Sequence, residues 1–116
     1  KMNKIFLILT LSICSYGLTS QDGQYYVLGA GQMECGEVVD VAERAGLESD
    51  DYFYYVTFTH GVFSTLNTTS QYIYDSNKQF APRNRTLYRV IKKFCEENLT
   101  MEFHKASFRM WEQNAK

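Results

Sequence analysis

Proline is nearly absent from this sequence: Pro82 is the only one in 116 residues. No low-complexity stretch and no internal repeat is visible either, so a linker-rich or solenoid architecture is excluded and a single globule is expected. Histidine is as scarce. His60 and His104 stand alone, without the close paired spacing of a metal motif, and no bound metal or other cofactor is expected. There is no Gly-rich phosphate loop and no nucleophile elbow. The densest basic cluster, Arg83, Arg85, Arg89, Lys92 and Lys93, is spread along a helix start and reads as a solvated face, so nucleic acid is not an expected partner.

Long apolar runs are missing too, with one exception at the start. In KMNKIFLILTLSICSYGLTS two lysines precede an apolar run from Ile5 to about Leu18, and the short residues Gly17, Thr19 and Ser20 follow. That order is the signature of a secretory signal peptide, and the run falls short of the roughly 20 apolar residues that cross a bilayer. Residues 1–20 are therefore predicted to be a signal peptide, and residues 21–116 one domain of an exported protein with no further membrane association. Residues 1–20 hold two of the twelve basic residues and none of the thirteen acidic ones, which leaves the domain a net charge of −3.

Cysteine is also in short supply. Of three, Cys14 belongs to the leader, and Cys35 and Cys95 remain. An even pair in an oxidising compartment predicts a disulfide, ahead of a metal site or a catalytic thiol.

What is present is helical periodicity. In RTLYRVIKKFCEEN, residues 85–98, Leu87, Val90, Ile91, Phe94 and Cys95 form one apolar stripe, and Asn84 or Thr86 is placed to cap the start. After a join of about two residues, Thr100 is the expected N-cap of a further helix with Phe103, Ala106, Met110 and Trp111 inward. Residues 33–45 put Cys35, Val38, Val39, Ala42 and Ala45 on one face, and Gly46 follows where helices favour glycine.

YFYYVTFTHGVFSTLN, residues 52–67, is ambiguous. Propensity favours a strand. Against that, the apolar pattern runs through VFSTLN without a turn signal, and Tyr52, Tyr55, Val56, Thr59, Phe63 and Leu66 share one helical face. Asp50 and Asp51 sit where negative charge suits a helix start. A helix apolar on most sides is a central one.

Three pieces of this chain together resemble a family. They are the cysteine in MECGEVV, the stretch H-G-V-F-S-T-L-N with Gly61, Phe63 and Asn67, and the aromatic–cysteine pair of FCEENL with Phe94, Cys95 and Asn98. The resemblance is to the small exported helical proteins of the HdeA and Rap1a/Tai superfamily, over residues 30–113. Leu99 stands where that pattern has proline, so the turn there is assigned to capping by Thr100. A second disulfide frequent in Rap1a-type members has no cysteines here. The resemblance implies an all-α, compact four-helix, HdeA-like domain stapled by one disulfide, with residues 52–67 helical and Asn67 at the helix end. It also implies a bacterial periplasmic setting.

Three functional readings follow. The first is a non-catalytic, immunity-type protein that blocks a secreted effector. The aromatic surplus supports it, since tyrosine and tryptophan favour interfaces; Tyr72 and Tyr74 in the polar loop SQYIYDSNKQ are the expected contacts. A homodimer is compatible with it. The second is an acid-activated chaperone that becomes cationic as carboxylates protonate and then holds unfolded clients. The third is an enzyme using His60, although a hydrogen-bonded buried histidine is the plainer reading. The pairs Asp50–Asp51 and Glu96–Glu97 do not face each other on a helix and are assigned no catalytic role. Asn67, Asn84 and Asn98 are N-x-Ser/Thr positions, relevant to glycosylation only in a eukaryotic host.

Overall fold

The periodicities appear as helices in the computed structural model, which describes residues 27–116. Four α-helices follow a short 3-10 turn at Gly29–Gln32. They are α1 (Cys35–Ala45), α2 (Asp50–Tyr72), α3 (Asn84–Glu97) and α4 (Phe103–Asn114). The fold is all-α, and among the described residues the only β-type pairing is an isolated bridge between Glu34 and Glu102. The predicted leader, residues 1–20 with Cys14, lies outside the described residues.

α3 has the cleanest cause. Leu87, Ile91 and Cys95 are fully buried, while Arg85, Arg89, Lys93, Glu96 and Glu97 are exposed. Cys95 in its last turn bonds Cys35 at the first residue of α1, the predicted disulfide, across a sequence separation of 60. α1 adds Val38, Val39 and Ala42 to the core, while Ala45 is exposed. It stops at Gly46, whose φ of 98° suits glycine and whose N–H donates to the Ala42 carbonyl.

α2 resolves the ambiguous stretch as helix and runs further than the sequence indicated. It starts at Ser49, whose hydroxyl accepts from the Tyr52 N–H at 3.1 Å, and Asp50 and Asp51 occupy its first turn. It packs against α1, α3, α4 and the 3-10 turn, as a central helix should. Tyr52, Tyr55, Val56, Thr59, Phe63 and Ser70 are buried along one side. The expected end at Asn67 is corrected to Tyr72. Nothing in Thr68-Thr69-Ser70-Gln71 breaks a helix, and Thr68 donates its hydroxyl to the Ser64 carbonyl within it.

The expected two-residue join and Thr100 cap are also corrected. α3 ends at Glu97 with Asn98 as C-cap, and α4 begins only at Phe103 after Glu102. The intervening segment is used as backbone. Leu99 and Met101 carbonyls accept from the N–H groups of Gly36 and Cys35, at 2.8 and 2.9 Å, and the Phe103 N–H donates to Met33 at 2.7 Å. Neither α1 nor α4 has a side-chain cap. The two helix starts satisfy each other's orphan donors through main chain instead. Gly36 permits this approach, because a Cβ there would stand 3.3 Å from the Leu99 carbonyl oxygen. Asn84 and Thr86 are likewise not caps: Arg83 precedes α3 without a side-chain bond.

Candidate functional site

The strongest surface feature lies at the C-terminal end of α2. Tyr72, Ile73 and Tyr74 are consecutive large apolar side chains, 83%, 70% and 75% exposed. Both tyrosines singled out from the sequence are therefore on the surface. Tyr72 is the last residue of α2 rather than part of a loop, and Tyr74 follows the helix end.

The end of α2 is fixed from below by Asn67. Its amide nitrogen donates to the Phe80 carbonyl at 3.1 Å, and its side-chain oxygen accepts from the Phe80 N–H at 2.9 Å and from the Trp111 indole at 2.7 Å. One side chain thus ties α2, the 73–83 loop and α4. Ser70 joins it, its carbonyl accepting from Ser76 at 2.9 Å. The family-motif residues separate into distinct jobs. Phe63 is core and packs on Phe80 with ring centroids 5.1 Å apart. Phe94 is half-buried, and Asn98 donates from its amide to the Phe94 carbonyl at 2.9 Å. Gly61 is exposed, and a Cβ there would meet nothing within 4 Å among the described residues.

A second feature was not singled out from the sequence. An open apolar groove runs along the outer side of α2. One part, about 490 Å³, is lined by Leu28, Phe53, Tyr54 and Phe58; the next, about 470 Å³, by Phe58, Gly61, Val62 and Leu66. Leu28, Phe53 and Tyr54 are 77%, 48% and 53% exposed. The available signal was charge: no Asp, Glu, Lys or Arg occurs between Asp51 and Asp75.

The ionisable candidates are occupied structurally. His60 is half-buried rather than buried, and its Nε2 lies 3.1 Å from the Asn84 side-chain oxygen in an exposed contact between α2 and α3. His104 Nδ1 lies 3.0 Å from the Gly31 carbonyl and 3.4 Å from Glu102. Tyr52 is fully buried, donates to the Tyr88 carbonyl at 2.7 Å, and has its phenol pushed far above the ordinary tyrosine range by burial. Tyr55 moves the same way, from burial first and then from the negative charge of Glu37. The amides of Asn67 and Asn98 are engaged within the fold, whereas Asn84 is exposed. No helix among the described residues is long and apolar enough to cross a membrane.

Compared with known protein families, curated proteins and solved structures, the chain matches none of them. The resemblance to the HdeA and Rap1a/Tai proteins accordingly stands on its short motifs.

Proposed function

We propose that this protein acts by binding another protein rather than by catalysis, as an exported, periplasmic, immunity-type inhibitor that occludes a secreted effector. The observation that carries the binding reading is the exposed Tyr72–Ile73–Tyr74 tip on the end of a helix that Asn67 holds in place. Tyrosines presented from a rigid element supply large contact area at little entropic cost, which is how interface anchors work. The immunity form of the reading comes from the motif resemblance.

The test is affinity capture with the oxidised protein against host periplasm and culture supernatant, at pH 7 and at pH 3. The reading expects one stoichiometric partner at pH 7. A Tyr72→Ala/Tyr74→Ala variant should weaken it by about 2 kcal/mol or more, since truncating interface anchors has that effect. Many clients at pH 3 and none at pH 7 would replace the inhibitor with the acid-activated chaperone. Turnover of a substrate that is lost in His60→Ala would replace both with an enzyme.

A further inference from the structure

α3 breaks a rule that α1 and α2 keep. A helix start favours negative charge and a helix end positive charge. α1 opens with Glu37 and closes with Arg44, and α2 opens with Asp50 and Asp51. α3 does the reverse. Its first turn has no acid and holds Arg85 behind Arg83, and its last turn has no base and holds Glu96 and Glu97. Along its outer side Arg85, Arg89 and Lys93 follow at intervals of four, two residues out of step with the buried Leu87, Ile91 and Cys95, so the cations stand opposite the core. All three are exposed, and among the described residues none forms an ion pair. Like charges at that spacing repel. We propose that this face is a docking surface for an acidic segment of another protein, whose carboxylates take the place of the missing intramolecular partners. The surface is separate from the Tyr72–Tyr74 tip, and the inference stands independently of the effector reading.

The charge around the face selects the occupant. Residues 52–95 carry six basic side chains and one acid, Asp75, whereas residues 34–51 carry seven acids and one base, Arg44. α1 holds Glu37, Asp40 and Glu43 exposed, is tied to α3 by the disulfide and packs against it. A broad surface of one negative sign, such as an anionic bilayer or a nucleic-acid duplex, would meet α1 as well as α3 and be repelled by a domain of net charge −3. A narrow acidic segment meets α3 alone. Lipid is further disfavoured because none of the large exposed apolar side chains lies on α3 to anchor in it.

The spacing sets the form of the segment. Four residues advance a helix by about 6 Å, so the row of three cations is about 12 Å long. Carboxylates four residues apart on a partner helix, or two apart on a strand at about 6.7 Å, fall in step with it. Two of the three cations are arginine, whose planar fork grips a carboxylate through two parallel hydrogen bonds, a geometry that lysine lacks. Lys92 beside the row is already joined to Glu96 at 3.3 Å, and Glu97 closes the row at its far end, so the open positions run from Arg83 to Lys93. An arrangement that works against α3 and finds no partner among the described residues is the kind of local inconsistency that interaction sites show.

The oxidised full chain, labelled with nitrogen-15, is titrated by nuclear magnetic resonance with a helical alanine-based peptide that bears glutamate at every fourth position. Amide shifts concentrated in residues 83–93 are expected, with binding at least about threefold weaker in ~150 mM salt than in ~20 mM. Arg85→Glu/Arg89→Glu should weaken binding at least about tenfold and yet melt no lower than the parent, because acid then stands at a helix start. Arg109→Glu, which reverses an exposed cation on α4, should leave binding unchanged. Three results would each overturn the proposal. They are no shifts at millimolar peptide in low salt, shifts that the double variant does not reduce, and phosphatidylglycerol vesicles or a DNA duplex shifting the same residues at lower concentration than the peptide does. The last would assign the face to lipid or nucleic acid.

Discussion

α2 and α3 each bury one stripe, yet they dress their outer sides in opposite ways. α3 sets Arg85, Arg89, Lys93, Glu96 and Glu97 against solvent around a narrow inner row of Leu87, Ile91 and Cys95. α2 continues past its first turn without one formal charge, and its outer side is aromatic, aliphatic and threonine. The helices therefore differ in what fixes them. α3 is oriented by its own amphipathicity, and any tilt would submerge charge. α2 has no such guide. Its orientation is set by specific contacts: the disulfide-linked pair it packs against, the Asn67 hub and the Tyr52 phenol bonded to Tyr88 on α3. A helix positioned by contacts rather than by charge is free to present an apolar face outward.

The largest expected effect comes from cutting the staple. Replacing Cys35 and Cys95 together by alanine should lower the unfolding free energy by about 4 kcal/mol, from the entropy of closing a loop across a separation of 60. The urea midpoint reads it. If α2 depends on the linked α1–α3 pair for its seat, the far-ultraviolet helical signal should fall over one transition. A loss in two steps, with α3 persisting, would show that amphipathicity alone holds α3 and would separate the two helices further.

Asn67 tests the other half of the comparison. Asn67→Ala leaves the Phe80 N–H and the Trp111 indole without that acceptor, and should cost about 2 kcal/mol, the scale of stranding two partly buried donors. A matched change on α3's outer side, Arg89→Ala, should stay within about 0.5 kcal/mol. Equal effects in thermal unfolding would erase the distinction drawn between contact-held and charge-held helices.

How much of this was legible depended on the same difference. α3 could be read directly, because charge and apolar residues alternate with the helical period and the signal needs no context. α1 and its glycine stop were legible for the same reason, and the Cys35–Cys95 pairing followed from there being two cysteines in the domain. α2 was ambiguous because the Tyr-Phe-Thr-Val vocabulary suits a strand locally, and only neighbours decide the outcome. Its true end was hidden by reading Asn67 as a terminator, when its amide is spent on Phe80 and Trp111. The Thr100 cap failed because a partner far away in sequence, the Met33–Gly36 backbone, supplied what a side chain would have. No local pattern contains that pairing. The exposed tip at Tyr72 and Tyr74 was legible from its polar setting; the groove beside it was not, since inward and outward apolar residues on α2 look alike in sequence.

Tyr52 gives a smaller, pH-dependent effect at the α2–α3 contact. Burial raises its folded-state pKa well above the unfolded value of 10.0. Stability from keeping it protonated is thus complete below pH 10 and lost above it, because the unfolded chain releases a proton that the folded one retains. Each pH unit above 10 should remove about 1.4 kcal/mol. In Tyr52→Phe that slope should shrink to what Tyr55 and other groups contribute, at a cost of about 1 kcal/mol at neutral pH for the lost bond to Tyr88. An unchanged alkaline slope would place the sensitivity elsewhere and leave the α2–α3 contact without this tie.

The smallest effect is the most informative about the outer face. Gly61 lies mid-helix, where glycine is weaker than alanine by roughly 0.5–1 kcal/mol, and among the described residues a Cβ there meets nothing within 4 Å. For the isolated chain Gly61→Ala should therefore raise stability by about that amount. Thermal unfolding reads the difference. A gain of that size makes Gly61 a local weakness of α2's uncharged outer side, whereas a loss shows that α2 needs the small residue there.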